Sequence, residues 1–399
     1  MAAQRLKILA LCSWYPNDFN PTLGNFVKKH AEAASLYNDV VSLSVFPSLL
    51  DKKIRLVETR TRTFSEIVVY YPKSTSKFRL WNMFRNYFAH RKAFKKGYKT
   101  VKSIIGKPDL IHLNITYPLG IWAFYLKWRK DIPYVITENA TGLHVGTDHS
   151  YPKIILSLCK FIVRRASVLL PVSEDLKTYM QIISPKSQFA IISNVVNEEI
   201  FKYSEKQKEL KTKTFIHIST GKDEHKNISG ILSCISSISK YRKDFHLKIV
   251  SDGDVAYAKE KIEILGIQDS VTFYSTKSTK EIASMIDNSS ALLLFSNYEN
   301  FPCVIAESLM MGKPVISTDV NGIPEHVNSK NGILIPKGDE AQLEKAICDF
   351  LDAKFTFDSN EIHSYAFKHF SYQEVGKQFD EQFRIVLTLR LNNAEINSR

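Results

Sequence analysis

Glu299 and Glu307 stand eight residues apart in NYENFPCVIAESLMMGKPVIST, residues 297–318, on either side of Pro302. That spacing suits neither a shared metal ion nor a helical ion pair. Pro302 fits the first turn of a helix, where its missing N–H costs nothing. Glu299 then falls on the loop before the helix, and Glu307 between one and two turns inside it. Amides at a helix start receive anions. Two carboxylates bracketing an anion site match the layout of a sugar nucleotide, with hydroxyls at one end, a diphosphate in the middle and a ribose diol at the other. A carboxylate accepts two hydroxyl hydrogen bonds, so each glutamate can hold one diol. The diphosphate also requires fixed positive charge, because a leaving group gains charge in the transition state. STGKDEHKNISG, residues 219–230, supplies Lys222 and Lys226.

The elements that must position these residues read as alternating strands and helices in both halves. LKILALCS, VVSLSVFP, SEIVVYYP, DLIHLN, PYVITE and SVLLPVS are strand runs of the first half, separated by helical stretches such as GNFVKKHAEAASLY and KIILSLCKFIVRRA. The second half continues with TFIHIST, HLKIVSD, VTFYST, ALLLFS and PVIST, with helices near 227–240, 256–265, 279–288 and 302–311. Strands bounded by crossover helices build parallel sheets, and such sheets hold ligands at their strand C-termini. The expected fold is α/β, with two Rossmann-like doubly wound domains facing a central cleft. The expected domains are residues 1–200, 201–370 and a C-terminal helical segment, 371–399, crossing back to the first domain. The join is expected in the polar stretch 197–213.

The stretch 297–318 resembles the E-x7-E signature of the retaining family-4 glycosyltransferases, which have the GT-B fold. TDVNGIPEHV, NGILIPKGD, HLKIVSDGD, DNSSALLLFSNYE, LLPVSEDL and IISNVVNEEIF extend the resemblance, and SWYPNDFNPTLGNFVKKHAEAAS is similar to the family's first acceptor-side loop and helix. The resemblance is strong over 215–340 and weak over 45–105. Asn300 and Pro302 replace glycines of the family pattern, and Ser251 replaces the first Gly of its G-D-G region. Asn139, in TENATGL, stands where relatives often carry His, so no catalytic His is assigned there.

The resemblance implies roles. Glu299 would hold the donor sugar's hydroxyls, and Lys226, with Lys222 as the partner basic residue, would bind the diphosphate. Glu307 would hold the ribose, and the backbone of Asn300, Phe301, Cys303 and Val304 would line the helix start. Gly24 would let the first loop approach the diphosphate, or simply open its helix. Asn194 would sit in the donor pocket or serve a turn, and Glu325 would lie near the nucleotide or cap a helix. His112 would face the acceptor, as would Asn139, or His112 would be a core histidine. The implied reaction transfers a hexose from a UDP- or GDP-sugar, UDP before GDP, with retention by front-face attack, and needs no metal or other cofactor. The rivals are a GT-B-fold sugar-nucleotide epimerase, a dinucleotide oxidoreductase and a nucleic-acid-binding module. No early G-x-G-x-x-G supports the second, and no nucleic-acid motif supports the third.

The 399 residues are 44% hydrophobic and 24% charged, enough for two cores. Cys12, Cys159, Cys234, Cys303 and Cys348 are scattered and form no CxxC pair, as expected of reduced thiols in a cytoplasmic protein. No window reaches the roughly 20 apolar residues of a membrane-spanning helix. Charge is uneven: residues 1–200 carry 29 Lys and Arg against 14 Asp and Glu, and residues 201–399 carry 25 against 27. Between Lys73 and Lys107 there are eleven Lys and Arg and no acid. Trp81, Phe84 and Phe88 recur there at helical spacing, beside Arg85, Lys92, Lys95, Lys96 and Lys99. That pattern fits a basic amphipathic helix lying in a membrane interface, which the resemblance implies to be the inner face of the cytoplasmic membrane, or a helix whose aromatics pack on the sheet and whose lysines are solvated. The expected partners are a nucleotide-sugar donor, a glycan or lipid-linked acceptor and an anionic membrane surface, without nucleic acid.

Overall fold

Strands buried on both faces read as continuous apolar runs, and those runs build the two sheets of this computed structural model. The structure describes residues 4–61, 63–144, 150–205 and 212–397. The first unit comprises Met1–Ser193 and Tyr372–Arg399, and the second Asn194–Ser371.

The first unit runs β1 (Lys7–Cys12), α1 (Asn25–Ser35), β2 (Asp39–Ser48), β3 (Arg55–Arg60), β4 (Phe64–Pro72), α2 (Arg79–Ile105), β5 (Leu110–Asn114), α3 (Gly120–Lys130), β6 (Tyr134–Glu138), α4 (Lys153–Val163), β7 (Leu169–Pro171) and α5 (Glu174–Ile183). Its sheet has the order β3-β4-β2-β1-β5-β6-β7, parallel except for the antiparallel edge strand β3. Helices α2 to α5 pack on one face in a single apolar core.

The second unit runs β8 (Lys213–Ser219), α6 (Asp223–Lys226), α7 (Ile228–Ser239), β9 (Phe245–Ser251), α8 (Ala256–Leu265), β10 (Val271–Tyr274), α9 (Thr279–Asp287), β11 (Ala291–Leu294), α10 (Cys303–Met310), β12 (Val315–Thr318), β13 (Gly332–Ile335), α11 (Glu340–Leu351) and α12 (Ser359–Phe370). Its strands, all parallel, take the order β10-β9-β8-β11-β12-β13. The strand order reverses between β8 and β11, the switch point where doubly wound sheets bind ligands.

The chain passes to the second unit at Asn194, earlier than the polar stretch 197–213, part of which (206–211) lies outside the described residues. The reason is packing. Val196 and Phe201 are fully buried in a core of the second unit. The Val196 amide also donates to the Phe370 carbonyl at 2.7 Å.

The last helix, α13 (Tyr372–Asn397), covers the other face of the first sheet beside α1. A Cβ on Gly376 would sit 2.3 Å from the Ala33 carbonyl oxygen, so only glycine permits this approach. Tyr372 donates to Glu32 at 2.7 Å.

His112 lies beneath α13, which corrects its expected acceptor role. It is fully buried, its Nε2 is 2.7 Å from Thr137 Oγ1, and its ring packs on Phe379 and Phe383. Burial, helped by neighbouring His30, lowers its pKa to about 3, and burial lowers that of His30 to about 4. The folded chain therefore resists protonation that the unfolded chain accepts near pH 6.5. The stability these neutral rings contribute is complete above that pH and is lost as pH falls toward the folded values. Each unit below 6.5 removes about 1.4 kcal/mol per histidine. In denaturant titrations at pH 6.5 and 5.5, His112→Leu is expected to lose about 1 kcal/mol less than wild type over that interval, in which the unfolded histidine goes from half to almost fully protonated. An unchanged acid slope would contradict the assignment.

Candidate active site

Two loops meet at the switch point of the second unit. The first follows β8. Gly221, at φ 75°, has no room for a Cβ, which would meet Ser251 Oγ and Val255 at 2.6 Å. Gly253 is held as closely to the Thr220 carbonyl, so the turn of SDGD locks against the first loop. The chain then makes the single helical turn α6. Asn227, at φ 46°, ends α6 and caps α7 through Oδ1, which accepts from the Gly230 amide at 3.1 Å. Asparagine tolerates this left-handed conformation better than most residues.

The second loop follows β11. The Ser296 carbonyl accepts from Thr318 Oγ1 at 2.7 Å. The Asn297 amide donates to the His225 carbonyl at 2.7 Å, and its side chain donates to the Glu224 carbonyl at 3.1 Å. The loop is thereby fastened to α6. That fastening delivers Lys226 Nζ onto Glu299 Oε1, across 73 residues of sequence. Ser296 Oγ donates to the same oxygen at 2.8 Å, and Asn321 Oδ1 accepts from the Glu299 amide at 3.3 Å. The two charged side chains are 17% and 9% exposed, so the pair is shielded from solvent. Such a pair can open to a ligand that offers the ammonium an anion and the carboxylate hydroxyl donors.

Pro302 takes the N-cap position of α10, with φ −72° and ψ 128°, one residue before the expected first turn. Cys303 and Val304 open the helix, and Glu307 follows one turn later, buried. Phe301 is a packing residue: its ring lies 4.5 Å from His326 and 5.3 Å from Phe370. Asn194, buried, donates to the Phe301 carbonyl at 2.8 Å and so holds the chain leading into α10. Asn300 is half-buried on the same loop, and Glu325 is half-buried after β12. Lys222, four residues before Lys226, is exposed at the start of α6.

Gly24 and Asn139 belong to the first unit. A Cβ on Gly24, at φ 64°, would lie 2.6 Å from the Trp14 carbonyl carbon, so its close approach is to its own loop. Asn139 is half-buried just beyond β6.

Ser296, Asn321 and Glu138 were not singled out by sequence reasoning. Asn321 sits in TDVNGIPEHV, where its φ of 48° gives that Asn-Gly its purpose. Glu138, fully buried, accepts from the amides of Thr116, Asn139 and Ala140 and from Thr116 Oγ1 at 2.7 Å. Burial raises its pKa, while those hydrogen bonds oppose the rise. It fixes the loops after β5 and β6.

Residues 200–369 match the family described as Glycosyl transferases group 1, and residues 50–200 the one described as Glycosyltransferase Family 4. An uncharacterized glycosyltransferase of Methanocaldococcus jannaschii is 26% identical over 292 residues, covering 72% of this chain and 75% of its own. A Bacillus subtilis protein, whose name assigns it provisionally to teichuronic acid biosynthesis as a glycosyltransferase, is 25% identical over 359 residues. That match covers 85% of this chain and 88% of the relative. Among solved structures, the HepE protein of Anabaena in complex with UDP and glucose superposes with a TM-score of 0.72 at 16% identity. It covers 95% of this chain and 100% of its own.

Proposed function

Since this chain belongs to the GT-B glycosyltransferases of the family 4 and group 1 type, we propose that it moves a hexose from a UDP-sugar to a membrane-associated glycan or lipid-linked acceptor, with retention of configuration. The observation that carries this reading is the Lys226–Glu299 pair at the switch point, with Glu307 one turn into the adjoining helix. The diphosphate draws Lys226 away from Glu299. The freed carboxylate then accepts hydrogen bonds from the sugar's hydroxyls, held there still by Ser296. Glu307 takes the ribose diol. Lys226 and the amides opening α10 offset the charge that grows on the departing diphosphate. In front-face transfer the bond from the anomeric carbon to the phosphate oxygen breaks, and the acceptor oxygen bonds to the same face. The leaving phosphate takes the acceptor's proton. UDP is favoured because UDP is bound by the structural neighbour. Lysine and backbone amides here do the charge-neutralising work that a divalent cation does elsewhere.

The membrane part rests on the first unit. On α2, Trp81, Phe84 and Phe88 are 57%, 62% and 51% exposed, beside basic residues and without an acid. Arg85, Lys92, Lys95, Lys96 and Lys99 are all exposed, with Lys96 reaching the Ile54 carbonyl at 3.3 Å. The C-terminal half of the same helix buries Ala93, Phe94, Gly97 and Val101 in the core. No described helix is long and apolar enough to cross a membrane.

The test uses donor hydrolysis by water, which needs no acceptor. A panel of UDP- and GDP-hexoses is followed by proton NMR. The first sugar released from an α-linked donor is expected to be the α anomer. Release of the β anomer would overturn retention. In parallel, Glu307→Ala is expected to weaken UDP binding about 100-fold by calorimetry, the loss of two charge-assisted hydrogen bonds. Glu307→Gln is expected to lose less, and unchanged UDP affinity in both variants would remove the ribose role.

A further inference from the structure

In the outer layer of the first unit, α2 and α3 lie side by side. Trp122 stacks on Phe94 with centroids 4.3 Å apart and planes 10° apart, and its Nε1 faces His90 Nδ1 at 3.4 Å. Tyr125 meets Trp122 edge-on at 5.9 Å, and Tyr98 lies parallel to Phe94 at 6.1 Å. These rings form the floor of a groove of about 530 Å³. Its rim carries Arg91, Lys95, Lys99 and Lys102 from α2 and Lys130 from α3, and no acidic residue among the described residues lines it. All five are exposed, and none forms an ion pair among the described residues.

The spacing of Arg91, Lys95 and Lys99 places like charges four residues apart on one helix, which repel. No acidic residue among the described residues of the groove offsets that repulsion, so a bound anion would relieve it. A simple anion uses the rim alone. The aromatic floor adds an apolar surface that only an amphiphile uses. The groove also continues into the exposed rings of Tyr87 and Tyr125. We propose that the α2–α3 groove is a headgroup site for a lipid whose phosphate leaves it with net negative charge, with the phosphate on the basic rim and the first carbons of its chain on the rings. The proposal rests on the reading that this unit works at a membrane surface, and names where a single lipid is held there.

The experiment separates the two. The full chain is titrated calorimetrically with dihexanoyl phosphatidic acid below its micelle concentration, and separately with dihexanoyl phosphatidylcholine and inorganic phosphate. Saturable binding of the phosphatidic acid is expected, at least tenfold tighter than inorganic phosphate, with none for the choline lipid. Lys95→Glu/Lys99→Glu is expected to weaken it at least tenfold, and Lys95→Gln/Lys99→Gln less. Trp81→Ala/Phe84→Ala/Phe88→Ala is expected to keep monomer binding while reducing co-sedimentation with anionic vesicles. No saturable binding, or binding indifferent to the lysine variants, would overturn the groove assignment even where vesicles are bound. Equal affinity for inorganic phosphate would assign the rim to a free anion and overturn the lipid assignment. Monomer binding without vesicle binding would keep the groove and sink the membrane reading.

Discussion

Glu299→Ala is expected to lower kcat by about 10²–10⁴ while the chain stays folded. Glu299 sits on a loop, touches Lys226 and Ser296, and contributes nothing to the apolar core. Each hydrogen bond from a hydroxyl to a carboxylate contributes about 1.5–3 kcal/mol, and about 1.4 kcal/mol is tenfold in rate. Two such bonds to the donor sugar account for the predicted range. The variant also releases Lys226, whose long stem lets the ammonium reach water. UDP binding should therefore persist or strengthen as transfer fails. Steady-state rates and UDP calorimetry on the same preparation would check this. Near-normal turnover in a folded Glu299→Ala would refute the site.

Lys226→Ala is expected to cut kcat/KM about 10²–10³-fold and to weaken UDP binding about tenfold. The larger effect falls on the rate because charge on the diphosphate rises as the glycosidic bond breaks. Stability responds differently from that of a solvated loop lysine, whose loss costs almost nothing. Here the substitution leaves a largely buried carboxylate with Ser296 as its remaining side-chain donor, at a cost of about 1–3 kcal/mol. Lys226→Arg should recover part of both. Undiminished UDP affinity together with a normal rate would reduce Lys226 to a structural ion pair.

These two residues were legible in the sequence because their signals are local: a short loop between a buried strand and a helix, and a basic turn after another strand. Their contact was not legible, since it depends on strand order. The parallel strands were legible as unbroken apolar runs. Strand β3, RLVETR, was not, because an antiparallel edge strand buries little: its first two side chains are half-buried, the other four are exposed, and no apolar face results. Helix α3, GIWAFYLKWRK, was missed because it has no capping side chain and its aromatics obscure the period. His112 looked like a strand-end site residue. The helix that buries it comes about 270 positions later, and no local pattern announces that cover. Glu138 was missed for the same reason, because its Thr116 partner comes from a separate loop.

One sugar nucleotide is expected to span the switch point, with its hexose at Glu299 and its ribose at Glu307. Saturation-transfer NMR on the full chain, with a panel of UDP- and GDP-hexoses, tests it most directly. For the true donor, both hexose and ribose protons should take up saturation in wild type. In Glu299→Ala the hexose signals should fall while the ribose signals persist, and in Glu307→Ala the ribose signals should fall first. A panel in which no nucleotide sugar is saturated, or hexose signals that survive Glu299→Ala unchanged, would contradict the account.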